Sequence, residues 1–221
     1  MSYRRTDNVI RRMAARQNAI LKAARDAAAE GGMEAVQVMP VAERAGIAAG
    51  TVYRYFPSKT DLVAALVGVV AEQELSAMRR AASAAPGPLS ALCASIVTFA
   101  SRALRARRLV FALLAEPADP QVAALRQDFR KSIAAEFEAR IATAMAYGHF
   151  PEQDTGRAAA ALIGAVLEGL VGPLARPAAD AATERDAVQT VTLLSLRALG
   201  VNDPRARGLV VQTALPPRDH A

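Results

Sequence analysis

Residues 41–63 read VAERAGIAAGTVYRYFPSKTDLV, and they hold two of the four tyrosines of the chain, on either side of Arg54. The spacing predicts a short helix over about 38–45, which Gly46 breaks. A second short helix follows from about Ala49 to Tyr55, stopped by Phe56-Pro57. Ser58 is a helix N-cap, with Asp61 three residues on in the capping-box position, so a long helix starts there. Two short helices joined by a tight glycine turn are a helix-turn-helix. In that geometry Val52 and Phe56, four apart, point inward onto Val41, Ala42 and Ala45. Ala49, Gly50, Thr51, Arg54 and Tyr55 are left on or near the outer surface. Small residues there let a backbone come close to a groove wall, and a tyrosine can both pack and reach a phosphate.

The flanking sequence supports an all-α chain. Of 221 residues, 52% are hydrophobic, mostly alanine and leucine in helix-like spacing, and long runs of β-branched residues are missing. Ile20, Ala23, Ala24 and Ala27 mark the inner stripe of a first helix over about 10–30, which Gly31-Gly32 closes. Met33 and Val36 fall just after it and are expected to pack under the next helix. Pro40 is tolerated only in the first turn of its helix.

Charge is uneven along the chain. Residues 1–60 carry ten Lys/Arg against five Asp/Glu, whereas the remainder carries seventeen against sixteen. An electropositive end on a near-neutral body suits contact with a polyanion. Residues 4–16 hold Arg4, Arg5, Arg11, Arg12 and Arg16, and Arg4, Arg5, Arg11 and Arg12 form either an arm for a neighbouring minor groove or a solubilising tail. The single cysteine, Cys93, sits in an apolar stretch and reads as a small buried hydrophobe. One cysteine and two histidines leave no metal set and no nucleophile–base pair, so neither an enzyme nor a cofactor is expected. No apolar run is long enough to span a bilayer, no secretory pattern is visible, and a cytoplasmic protein without membrane partners is the expectation.

Beyond the long helix from Ser58, whose apolar stripe starts with Leu62, Leu66 and Val69, the small-residue break at 81–90 leads into a helical body. Helices are expected over 89–107, over a short RLVFALLAE segment, and from a cap at Asp119 to about Tyr147 with Phe129, Ile133 and Phe137 on one stripe. Further helices are expected over about 154–174 and 184–199. The stretch 201–221, rich in breakers at its ends, reads as a tail that is partly ordered at best.

Residues 20–66 resemble the N-terminal DNA-binding domain of the TetR family of transcriptional regulators. The Ala-Gly turn, Gly50-Thr51, Tyr53-x-Tyr55-Phe56, Ser58-Lys59 and Asp61-Leu62 carry the resemblance together. It implies a three-helix DNA-binding domain at 1–65 and a larger helical effector-binding and dimerisation domain at 66–200, followed by a C-terminal tail at 201–221. The activity implied is ligand-responsive repression at a palindromic double-stranded operator. An activator, or a helical interaction protein with a vestigial helix-turn-helix, are the alternatives. Two positions depart from the family pattern: Ala48 cannot cap the second short helix, and Gln37-Val38 stand where a hydroxyl is usual.

The DNA-binding residues expected are Gln37, Arg44, Ala49, Gly50, Thr51, Tyr53, Arg54, Tyr55 and Lys59. Lys59 and Tyr55 are assigned to phosphate. Tyr53 either buttresses the helix or contacts DNA, and Arg54 reads a guanine edge or holds the backbone. For the effector, Phe99, Phe111, Phe129 and Phe137 are candidate pocket residues for an apolar molecule. Arg102, within a cluster with Arg105, Arg107 and Arg108, would suit an anionic one such as an acyl-coenzyme A. The apolar surplus on the last two helices makes Ile163, Leu167, Leu170, Val191 and Leu194 the expected homodimer interface.

Overall fold

A computed structural model describes residues 2–116 and 120–217, with side chains from residue 9 onward. The described residues are all helical or loop. The helices are α1 Ser2–Gly31, α2 Val38–Arg44, α3 Ala49–Tyr55, α4 Lys59–Ser83, α5 Pro88–Arg105, α6 Arg107–Leu114, α7 Pro120–Ala146, α8 Thr155–Val166, α9 Ala181–Ala198 and α10 Asp203–Gln212. A 3₁₀ turn, Met33–Ala35, follows α1, and a π turn, Leu167–Val171, extends α8.

The N-terminal unit closes on a small core. Ile20, Ala23, Ala24, Ala27 and Ala28 of α1 are buried with Val36, Val41, Val52, Phe56, Leu62 and Leu66. Four alanines in that stripe let α1 lie close to α2 and α4. Helix α4 then leaves the unit and packs on α5 and α7, so one helix belongs to both halves of the chain.

Helix α5 is the axis of the body and packs on α4, α7 and α9. Nearly all its side chains from Leu89 to Leu104 are buried, the small hydroxyl residues Ser95, Thr98 and Ser101 among them. It meets α6 at a bend of 103°, and no single helix among the described residues is long and apolar enough to cross a membrane. Cys93 is buried in α5 beneath the Thr213 hydroxyl, which donates to its sulfur at 3.3 Å. Burial pushes the Cys93 thiol above its ordinary pKa.

Several sequence expectations shift. Helix α1 starts at Ser2, because nothing in the arginine-rich stretch breaks a helix once α1 is nucleated. Val69 is 40% exposed; Val63, Val67 and Val70 face inward instead. The last long helix starts at Ala181, since Asp180 accepts from the Ala182 and Thr183 amides in a capping box. The expected Asp119 cap lies outside the described residues. Within 201–217 the chain forms a further helix: Asn202 caps α10, Pro204 fits its first turn, and Ala206 and Val210 are buried.

A hydrogen bond joins the N-terminal unit to the end of α6, at a carboxylate that α6 also holds. The Met33 amide donates to Glu116 Oε2 at 2.9 Å, and Arg108 donates to Glu116 Oε1 at 3.3 Å. Gly32, with φ of 75°, sits directly against this pair. A Cβ there would collide with the Arg108 guanidinium and stand 2.7 Å from the Glu116 carboxylate. Gly32→Ala is therefore expected to cost upward of about 1–2 kcal/mol for the left-handed backbone alone, with displacement of the pair added. Urea denaturation measures it, and an unchanged midpoint contradicts the account.

Candidate nucleic-acid interface and effector region

The turn between α2 and α3 is built by backbone bonds. The Gly46 amide donates to Glu43 O at 3.0 Å and the Ile47 amide to Ala42 O at 3.0 Å, with Gly46 at φ 66°. Ala48 stands at the α3 N-cap without a side-chain bond, as its methyl requires. The α3 C-terminus is bounded by Phe56, buried, and by the start of α4. There Ser58 and Asp61 cap each other: the Ser58 amide donates to Asp61 Oδ2 at 3.0 Å and the Asp61 amide to Ser58 Oγ at 3.1 Å.

This frame sorts the nine sequence-selected residues. Gln37, Arg44, Gly50, Tyr53, Arg54 and Lys59 are exposed, while Ala49, Thr51 and Tyr55 are half-buried. Tyr53 is 50% exposed. Tyr55 packs its ring against the core, together with Ala49. A Cβ on Gly50 would meet nothing within 4 Å, so the open space at that position lies outside the protein. Lys59 is the first residue of α4, where free helix amides and the helix dipole favour an anion.

Two of the nine are engaged within the chain. Gln37 Nε2 donates to Glu34 O at 2.9 Å. Arg44 makes a forked pair with Glu30 at 2.7 and 2.5 Å. The Arg44 hydrogen bonds hold the Glu30 carboxyl below its usual range, and Glu30 raises the Arg44 guanidinium. Sequence reasoning missed Met39, 60% exposed beside Gln37 and Pro40. An apolar residue in an amphipathic helix gives no signal that it faces out.

In the body, Phe99 and Phe137 are fully buried and meet edge to face, with ring centroids 5.8 Å apart. Phe129 is buried too, and Phe111 is half-buried against the core. Phe99, Phe129 and Phe137 belong to the buried core, and Phe111 packs against it. A cleft of about 700 Å³ lies elsewhere, at the α5–α6 bend, bordered by Arg25, Glu74, Arg102, Arg105, Arg107 and Glu184. Of the five effector candidates, only Arg102 borders it.

The arginine cluster is spent on the chain itself. Arg102 forks onto Glu74 at 2.8 and 2.8 Å, and Arg105 pairs with Glu184 while donating to Pro216 O at 2.8 Å. Arg107 donates to the carbonyls of Val171, Gly172 and Ala175, and Arg108 pairs with Glu116. An anionic effector would have to compete with these bonds. The expected dimer residues also turn inward: Ile163, Leu167, Leu170 and Val191 are at most 7% exposed within one chain, and only Leu194, 57% exposed, is open. The π turn and α9 pack against α5, which takes up the apolar face that the sequence left unassigned.

Residues 20–66 match the family model described as bacterial regulatory proteins, tetR family. The HTH-type transcriptional repressor KstR of Mycolicibacterium smegmatis is 46% identical over 77 residues, 35% of this chain and 38% of that protein. The match thus spans well under half the length of this curated relative. Over most of the chain, the fatty acid degradation regulator FadR of Bacillus halodurans has the same fold, with a TM-score of 0.73 at 21% identity, covering 85% of this chain and 97% of that one. RolR, solved in complex with resorcinol, superposes with a TM-score of 0.65 at 20% identity over 94% of this chain and 98% of that one. Residues 20–66 thus match the TetR-family N-terminal helix-turn-helix domain, and the chain as a whole shares the fold of these solved structures.

The Arg102–Glu74 pair gives a test of the body. Both side chains are largely buried, so Arg102→Ala strands a carboxylate and is expected to cost about 3 kcal/mol. The double variant Arg102→Met, Glu74→Gln removes both charges at similar volume and is expected to recover most of that loss in urea denaturation.

Proposed function

We propose that this TetR-family chain is a DNA-binding transcriptional regulator that answers to a small molecule, and that it acts as a repressor on a palindromic operator as a homodimer. One observation carries the reading: α3 leaves Gly50, Tyr53 and Arg54 exposed on a short helix closed at both ends, with Lys59 at the head of α4 beside it. Such a helix fits a major groove, and its flanking cation and hydroxyls fit the phosphates.

The roles follow from exposure. Lys59 and the Tyr55 hydroxyl hold phosphate, with Thr51 at a phosphate or base edge. Arg54, the one long donor on α3, reads a base edge or the backbone. Gly50 and Ala49 allow close approach. Gln37 and Arg44 contribute once they exchange their internal partners for phosphate, so their share is smaller than that of Lys59. Residues 1–65 then form the DNA-binding unit and 66–200 the effector and dimer body, with α10 packed on it. The cleft at the α5–α6 bend is the candidate effector site, because side chains from α1, α4, α5 and α9 share it. A ligand there touches the first helix of the DNA-binding unit and the body at once.

A dimer is proposed because one short helix reads too few base pairs to find a single operator. Leu194 is its exposed apolar member on α9.

Two sets of measurements test this. Against a duplex recovered by selection from a random pool, Lys59→Ala is expected to weaken binding to all sequences alike and lower the salt slope by about one unit. Arg54→Ala, if it reads a base, costs about 1–3 kcal/mol at one position. Gly50→Ala should keep or modestly raise folding stability and weaken binding; unaltered binding by all three variants sinks the reading. Sedimentation of the wild type is expected at twice the chain mass of 23.2 kDa. Leu194→Glu should give a folded monomer, while Leu167→Glu, placed in the core, should unfold the body.

A further inference from the structure

The first half of α1 has no role in the core. Every described side chain from Val9 to Ala19 is exposed, although the helix is continuous through Gly31. Residues 2–19 extend it by roughly 27 Å beyond the buried stripe that starts at Ile20.

Two rows run along this extension. At about 100° per residue, Val9 and Met13 fall in line with Ile20 and Ala24, so the inner stripe continues past the end of the core. Val9 is 52% exposed and Met13 54%. Arg11, Arg12 and Arg16 spread over an adjoining arc of roughly 140°, with Arg16 at its border with Val9. Residues 8–21 contain these three arginines and no carboxylate. None of the three has an ion-pair partner among the described residues, in contrast to Arg44, Arg79, Arg102, Arg105 and Arg108. Positions 4 and 5, also arginine, stand seven before 11 and 12 and so repeat the same register. Their side chains lie outside the described residues.

The extension also has a direction. The C-terminal end of α1 is held at the body, through Gly32 against Glu116 and Arg108 and through Arg25 beside Gln73, well along α4. The other end of α4 carries Lys59, next to α3. The arginine row therefore runs away from the body, toward the end of the molecule that presents α3.

We infer that the N-terminal half of α1 is a second DNA-contacting element, a rigid basic rod that lies on phosphates flanking the sequence read by α3. The inference rests on the regulator reading above and adds the partner of this separate surface. A preformed helix loses little conformational entropy on binding, so unpaired guanidinia on it yield phosphate contacts without a folding cost. Phosphate contacts of this kind add affinity and salt dependence and leave sequence preference untouched.

The test uses the full chain and two duplexes, the selected operator alone and the same operator with about ten further base pairs on each side. The wild type is expected to bind the longer duplex at least about 10-fold more tightly. The triple variant Arg11→Gln, Arg12→Gln, Arg16→Gln keeps helix propensity, and it is expected to lose that gain and about 2–5 units of salt slope while still preferring operator to scrambled sequence. Lys22→Gln, which removes a cation of the same helix already paired with Asp26, should leave the gain intact. A wild type that binds neither duplex tells against the regulator reading itself. A wild type that binds the operator but gains nothing from the flanks, or a triple variant that keeps the gain, overturns this inference. So does a triple variant with an intact flank gain that has lost binding to phosphatidylglycerol vesicles, which assigns the row to a lipid surface instead.

Discussion

Three residues, Phe56 to Ser58, separate α3 from the 25-residue α4, and this tether orients the whole N-terminal unit. Phe56 is buried, Pro57 cannot extend α3, and Ser58 is locked to Asp61, so none of the three is free to swivel. Helix α3 is thereby fixed to the first turn of α4, and α4 is the wall on which α5 and α7 pack. A displacement of α4 by the body has to be passed on to α3. The Met33 amide on Glu116 ties the turn after α1 to the end of α6, and α1 also packs along α4, so both helices couple the unit to the body.

The uneven charge of the chain has a structural counterpart. In the body, guanidinia are neutralised by partners brought from other helices, Glu74 for Arg102, Glu136 for Arg79 and Glu184 for Arg105, and Glu136 also takes Arg140 of its own helix. In α1 and α3, Arg11, Arg12, Arg16 and Arg54 enter no ion pair among the described residues. Pairing, more than the number of arginines, decides where a positive field reaches solvent.

The helix-turn-helix was legible because its signals are local: a glycine turn, a proline stop, a capping box and side chains three or four apart. Those same rules located α2 and α3 nearly to the residue. What the sequence could not supply was long-range. Nothing at position 116 announces a bond to an amide 83 positions earlier. Four arginines within 102–108 look like an anion site until their partners at 74, 116, 171 and 184 are known. Leu167, Leu170 and Val191 look like a surplus face because α5, which covers them, is not visible in their own periodicity. Phe99 and Phe137 are the converse case, since stripe spacing cannot tell a ring that fills a core from one that lines a pocket.

The π turn at the end of α8 bears on the ancestry of the fold. The Gly172 amide reaches back five residues to Leu167 O at 2.7 Å, so the turn accommodates one residue more than an α-helical turn would. Because of this extra residue, Leu170 and Val171 lie in the core together with Leu162 and Val166. A single-residue insertion or deletion here changes one loop of helix and leaves the registers on both sides in place. The same change within α5 would rotate half of a fully buried helix by about 100°. Length variation among proteins that share this architecture should therefore accumulate near residue 167 and be excluded from 89–104.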